Sequence, residues 1–501
     1  MGTSLQNRIR TKLQDYRVAL NTPDTSLPLE LTEKKTVAVI GGGIAGISAA
    51  ANLAERGFKV TLYEKENYLG GKAGAWTFES KGELLNTEHG FHAFFRQYYN
   101  LRSFMRKIGA YDNLIPITDY LIMLRNGSRI GFSGIRNTPG LNILDLRKKG
   151  VYSWLTFLNP FSLSLLQLLK YDREKTFKKF DDVSFERFAK RARMPKKMRI
   201  VFTTFARAFF SQPDKMSMAE LIKGFHFYFL SNEEGLLYDV LNDDFQESFI
   251  RYCERFITQH GGVILKNTPV TEFRQHPNGF TANGNEYDYV VLCTDVKQAK
   301  SLVDRSASLQ QYRKFHQSVN SLKSSDRYAV LRLWTDRFEK DQELPFFIFT
   351  DRIECLDSIT LYHKMEKTSA EWSRKNNGGI IELHSYALPD HLRSDEKVKG
   401  QLLQEFYHYF PEFQGMTIRH AYFQHRQDFP AFHTGLYSQR PEVVTSVPGL
   451  YLAGDWVKMD NTTMLMEAAY TSGAMAANEI FRKERLRENL LESVPAKGLL
   501  A

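Results

Sequence analysis

At 501 residues the chain exceeds what one simple core holds, which predicts two interleaved domains. Its 25% of charged residues excludes a disordered chain. No nucleic-acid motif accompanies the net charge of +10, so the basic excess fits either a mildly basic soluble enzyme or contact with an anionic membrane surface, ahead of nucleic acid. Three isolated cysteines, Cys253, Cys293 and Cys355, exclude a disulfide framework and a cysteine-only zinc or iron–sulfur site; no metal is expected, and a reducing cytoplasm fits.

In chain order, residues 4–20 read as an amphipathic helix. Leu5, Ile9, Leu13, Tyr16 and Leu20 recur at helical spacing, with Arg8, Arg10, Lys12 and Arg17 largely elsewhere on the wheel. Such a helix either packs on the body or lies on a membrane surface. Residues 22–26 (TPDTS) read as a linker. The first 35 residues lack the apolar run of a secretory signal.

Residues 36–74 carry the strongest signal. An apolar, β-branched run at 36–40 reads as a buried parallel strand, and Gly41, Gly43 and Gly46 then supply G-x-G-x-x-G. Gly41 permits the strand-to-helix turn, Gly43 lets backbone approach a pyrophosphate, and Gly46 allows the helix to close on the sheet. Ile44 and Ala45 open that helix, whose N-terminus offers N–H groups and partial positive charge to phosphate. A second strand over 58–63 ends in Glu64 and Lys65. Glu64 is placed to accept hydrogen bonds from ribose hydroxyls, and its charge disfavours a 2′-phosphate.

The next run, Leu69-Gly70-Gly71-Lys72-Ala73-Gly74, resembles the G-G-[RK] element of FAD enzymes in the amine-oxidase and phytoene-desaturase superfamily. There the glycines and the cation sit against the FAD pyrophosphate. Lys72 keeps the charge of the usual Arg but loses its bidentate fork.

Residues 83–92 read as a short strand running into a glycine turn, followed by a helix from about 95 to 108. Glu88, His89 and His92 form the densest titratable cluster behind the nucleotide motifs. They either hydrogen-bond backbone and cofactor or act near the reacting substrate atoms. Residues 151–169 are uncharged, with basic residues on both sides and Pro160 in the middle. That pattern suits a segment dipping into one leaflet or packed in a helical domain better than a span. Residues 184–256 read as mainly helical. Their aromatic stripe (Phe202, Phe205, Phe209, Phe210, then Phe225, Phe227, Tyr228, Phe229) is either plain core or the wall of a long apolar channel.

Strand signals return at 262–265, 269–271 and 285–294, then at 328–334, 344–350 and 379–385, with a helix near 396–410. Residues 449–455 read as an apolar strand delivering Gly454 and Asp455 at its carboxyl end. A helix of small residues follows, opening with Met466 and Ala468, and the charged segment from Lys483 reads as a solvated end.

These pieces together resemble the phytoene-desaturase branch of the flavin amine-oxidase superfamily, with closer likeness to isorenieratene-synthase-like carotene desaturase/methylases. That closer likeness rests on the run 88–99 (EHGFHAFFRQYY) and on Tyr451 to Asp455-Trp456. The resemblance implies an α/β fold: an FAD-binding, Rossmann-like domain of the glutathione-reductase type, interleaved with a mixed-sheet plus helical substrate domain. The expected FAD domain comprises 31–110, 235–300 and 440–485, and the substrate domain 111–234 and 301–439. Residues 1–30 would be helix and linker, and 486–501 a tail. It implies that Asp455 holds a ribityl hydroxyl and that Val270 touches the adenine side.

The implied chemistry is desaturation of a carotenoid-like polyene by hydride transfer to flavin N5, with ring aromatisation and a methyl shift in some members. His89 or Glu88 would be the base, and a membrane quinone or dioxygen the electron acceptor. The implied location is the cytoplasm, peripheral on the inner face of the membrane. Two alternatives stay open: an amine oxidase or other small-molecule flavin oxidase, against which Met464 and Leu465 stand where an aromatic is usual, and a non-catalytic FAD-fold lipid-binding protein.

Overall fold

Five short apolar runs assemble into one parallel sheet in the order Val263–Leu265, Lys59–Tyr63, Thr36–Ile40, Tyr289–Leu292, Leu450–Leu452. The computed structural model describes residues 17–117, 119–232 and 237–498. The central strands are covered on both faces, which is why Thr36–Ile40 and Tyr289–Leu292 read as unbroken apolar runs rather than alternating ones. Strands far apart in sequence lie side by side here, as in doubly wound α/β proteins.

The helix Ile44–Glu55 is buried along nearly its whole length and packs against the helix Leu465–Lys483. Small residues allow the close crossing: a Cβ on Gly473 would lie 2.2 Å from the Ala45 carbonyl oxygen. Ser48 Oγ donates to the Tyr470 carbonyl at 2.7 Å across the same contact. Because backbone rather than a flexible side chain blocks the way, Gly473→Ala is expected to lower the unfolding free energy by roughly 1–3 kcal/mol. Urea denaturation followed by far-UV circular dichroism measures it.

A second, mixed sheet runs Ile418–Arg426, Tyr328–Thr335, Ile380–Ser385, Ser358–Leu361, Phe347–Thr350, Leu121–Met123, Arg129–Gly131. Its neighbours are antiparallel except Phe347–Thr350 against Leu121–Met123. Tyr328–Thr335 and Ile380–Ser385 are wholly buried, so the charges within them must be paired: Arg332 Nε donates to Glu382 at 2.6 Å. The helix Asp395–Tyr409 covers one face.

Several expectations need correction. The helix read over 4–20 falls mostly on residues outside those described. At its end Val18–Ala19 is a strand, paired antiparallel with Glu492–Ser493. The segment after Lys483 is not a solvated end. Leu486, Leu491 and Val494 are buried, Asn489 donates to Asn52 and accepts from Asn478, and the pairing of Glu492–Ser493 with Val18–Ala19 holds the segment on the body. Residues 268–272 lie outside any strand. Within 184–256 the helices are interrupted by the strand Tyr238–Leu241. Among the described residues no helix is long and apolar enough to cross a membrane, and 151–169 forms two 3₁₀ pieces, Trp154–Leu158 and Pro160–Leu169.

Candidate active site

A cavity of about 420 Å³ opens at the carboxyl ends of the parallel strands and extends between the mixed sheet and the helical layer. Its first wall is the turn after Thr36–Ile40, where Gly41, Gly43, Ile44 and Ala45 line it. Gly41 holds φ +107°, and a Cβ there would sit 2.9 Å from the Cys293 carbonyl oxygen. Gly43 is the opposite case: a Cβ there would meet nothing within 4 Å, so open space lies directly over it. No side chain caps the helix that starts beside it. Gly46 does not reach the cavity, because its Cβ position lies 1.8 Å from the Gly41 carbonyl oxygen; it lets the helix close on the turn.

Glu64, Lys65, Gly70, Gly71 and Lys72 follow along the same wall. The Glu64 carboxylate fastens the turn, accepting from the Gly42 N–H at 2.7 Å and from the Glu66 N–H at 2.9 Å. Burial raises its pKa, and those two donors oppose the shift. Gly70 N–H donates to the Gly42 carbonyl at 2.8 Å, which brings the second glycine run against the first. Val270, Gly454, Asp455 and Met466 complete this end from three later stretches of chain. Lys72 Nζ lies 2.6 Å from Asp455 Oδ2 and 4.5 Å over the Phe429 ring. Ala468 is not in this wall; Leu465, Met466 and Ala469 are. Residues 466 and 469 share a helix face three apart, and 468 points off it.

The other end of the cavity is aromatic. Phe205, Phe209, Phe210, Tyr228 and Phe229 line it, whereas Phe202, Phe225 and Phe227 are plain core. The aromatic stripe therefore divides between the two readings. Phe91, Phe347 and Tyr238 close the side against the mixed sheet.

His89 stands between the two ends, with its backbone N–H held by the Gly74 carbonyl. Nε2 lies 2.8 Å from the Tyr328 hydroxyl and 3.5 Å from Asp428 Oδ2, and Tyr328 donates to Asp428 Oδ1 at 2.7 Å. Tyr328 has one proton and gives it to the carboxylate, so the network assigns the imidazole proton to Nε2 and the lone pair to Nδ1. Burial lowers the pKa of His89, against the pull of Asp428. Burial opposes ionisation of Asp428 too, yet the donors His89 and Tyr328, with the charge of Lys72, hold it well below the usual carboxylate range. His92 also lines the cavity; burial depresses it to about 3, and its Nδ1 contacts the Gly90 carbonyl at 2.5 Å.

Glu88 turns away from the cavity. Its carboxylate accepts from Tyr362 at 2.8 Å and lies 3.6 Å from Arg332, inside the buried network with Glu382 and His384. Burial raises its pKa to about 8. The strand Glu83–Glu88 alternates faces, so consecutive Glu88 and His89 point to opposite sides. Sequence reasoning missed Asp428 and Tyr328. Asp428 follows the strand Ile418–Arg426 and Tyr328 opens its neighbour, and no spacing rule links either to His89.

The model of the family described as flavin containing amine oxidoreductase matches residues 44–481. The chain belongs to that family. This flavoprotein is 34% identical over 474 residues to a carotenoid phi-ring synthase of Streptomyces griseus, covering 92% of this chain and 90% of the relative. It is 24% identical over 504 residues to a zeta-carotene desaturase of Synechocystis sp., covering 91% and 99%. Among solved structures, an oxidoreductase of Methanosarcina mazei superposes with a TM-score of 0.62 at 16% identity, over 88% of this chain and 99% of that one; this likeness shows the fold. The protein is an FAD-dependent oxidoreductase. The open seat over Gly43, the uncapped helix start and the acid Glu64 at the second strand's end suit a dinucleotide.

Proposed function

We propose that this protein oxidises a carotenoid, desaturating it with aromatisation of an end ring and a methyl shift. The carrying observation is the single cavity that joins the nucleotide seat at Gly43 and Asp455 to the aromatic end at Phe205 and Phe229. The names of the similar proteins support the substrate class. Bound FAD would supply a two-electron oxidant that accepts hydride from an allylic C–H bond, and aromatising one cyclohexene ring, which removes four electrons, would take two such oxidations. In our reading Gly41, Gly43, Ile44, Ala45, Gly70, Gly71 and Lys72 hold the pyrophosphate and Glu64 a ribose; Val270 meets the adenine and Asp455 the ribityl chain. Gly46 and Ala468 act behind that surface, as packing.

The aromatic walls hold a polyene by shape and exclude water, which keeps a developing carbocation from being captured. Nδ1 of His89 takes the proton that the cation sheds, and ionised Asp428 stabilises the imidazolium through Nε2–H and Tyr328. Glu88 fixes the strand that carries His89 and moves no proton. A quinone or dioxygen is the electron acceptor, and the protein works peripherally on the inner face of the membrane.

The test is expression in bacteria that accumulate defined carotenes, with chromatography of the pigments. A β-ring carotene should yield products with an aromatic end ring. An unchanged profile with acyclic and β-ring carotenes alike would refute the assignment.

A further inference from the structure

Six of the fifteen exposed large apolar side chains among the described residues fall within 154–166: Trp154, Leu155, Leu158, Phe161, Leu163 and Leu166. Leu155 and Leu158 are 72% and 77% exposed. Single exposed apolar residues are ordinary, but a cluster of this kind is not. The 3₁₀ geometry explains it. With three residues per turn, Ser162, Leu165 and Leu168 stack into one inward ridge, and Phe161, Leu163 and Leu166 are left facing out. The segment is fastened rather than loose: Ser153 and Asn159 cap the two pieces, and Ser162 Oγ donates to the Ala192 carbonyl at 3.1 Å.

Charge gathers around the same patch. Residues 141–199 hold 15 basic and 6 acidic side chains, a net +9 out of the +10 of the whole chain. Arg193 lies 4.5 Å over the Phe161 ring and Arg147 5.7 Å over Trp154. Asp145, Asp172 and Glu186 are each paired to cations of the same region, so the surplus positive charge is not cancelled locally. Exposed Trp, Phe and Leu flanked by Arg and Lys match the layering of a bilayer whose headgroups are anionic.

We propose that residues 154–166 are the surface on which this protein sits on an anionic lipid bilayer, with the apolar side chains among the acyl chains and Arg147, Lys148, Lys149, Lys170 and Arg193 at the phosphates. The patch backs onto the aromatic end of the cavity. His226 Nε2 lies 3.0 Å from the Leu168 carbonyl, and His226 opens the helical turn that carries the cavity residues Tyr228 and Phe229.

The proposal is independent of the carotenoid reading, since vesicle binding needs no substrate. The full-length flavoprotein is mixed with phosphatidylcholine vesicles, with or without phosphatidylglycerol, and floated on a density gradient. It should bind the anionic vesicles and bind them less as salt rises. A Leu155→Ser/Leu158→Ser/Phe161→Ser variant, unchanged in flavin spectrum and circular dichroism, should lose at least about tenfold in vesicle partitioning. A Lys148→Gln/Lys149→Gln/Lys170→Gln variant should weaken binding and flatten its salt dependence. Wild-type-like binding by the serine variant would overturn the proposal. So would light scattering that shows the serine changes turning a dimer into a monomer while lipid binding persists, which would give the patch to a second copy of the chain.

Discussion

Gly43→Val is expected to give a folded protein that purifies without yellow colour, whereas Gly46→Val gives little folded protein at all. The two glycines lie three residues apart in one motif, but their surroundings are opposite. The Cβ position of Gly43 faces open space, and its φ of −71° is ordinary for any L-residue, so the backbone tolerates a side chain there. The valine methyls would instead occupy the proposed phosphate seat, costing at least about a hundredfold in FAD affinity, or about 2.7 kcal/mol. At Gly46 the added carbon falls 1.8 Å from a backbone oxygen in the turn itself, and neither partner can yield without opening the helix from the sheet. Absorbance near the flavin bands after gel filtration, together with thermal unfolding, separates the two outcomes. Flavin retained at wild-type stoichiometry in Gly43→Val would displace the pyrophosphate from that turn.

The second large effect concerns His89 and its partner. Asp428→Asn is expected to keep the flavin and lower turnover by roughly a hundredfold or more, because an amide cannot stabilise the imidazolium as a carboxylate does. The pH profile carries the more specific signature. Burial places the pKa of His89 below its ordinary 6.5, so the imidazole is neutral near pH 7 and able to accept a proton. Turnover should be flat through neutral pH and fall as pH drops through that lowered value. Asp428 raises the pKa of His89, so its neutralisation should move the acid limb to still lower pH even as the maximal rate falls. Anaerobic bleaching of flavin absorbance by substrate, measured across pH, reads both. A merely structural Asp428 would lower the rate without moving the limb. His89→Ala with an unaltered profile would remove the base assignment.

Legibility differed sharply between the two ends of the cavity. The nucleotide end is local chemistry. A strand, a glycine turn, a helix and an acid follow one another within 30 residues, and each step is fixed by backbone sterics that the residue types announce. The strand at 449–455 was legible for the same reason: an apolar run that ends in Gly-Asp states its own geometry. The end around His89 is not local. His89 follows a strand of a separate two-stranded sheet, whereas Tyr328 and Asp428 come from neighbouring strand ends of the mixed sheet, and nothing in their spacing predicts a hydrogen bond. Glu88 and His89 looked like one cluster because they are adjacent in sequence, and strand alternation puts them on opposite sides.

The uncharged run at 151–169 shows the same division on the surface. Composition marked an uncharged segment flanked by basic residues, but which side chains face out depends on the three-residue period it adopts and on the helices packed behind it. By itself, then, the sequence determined the glycine turn, the parallel strands and the basic, apolar character of one region, because each is written in contiguous residues under short-range steric rules. Only the tertiary structure decided which histidine neighbour is an acid, which aromatics are wall and which are core, and how the last residues pack. Those outcomes depend on contacts between segments hundreds of residues apart, where packing and burial outweigh local preference.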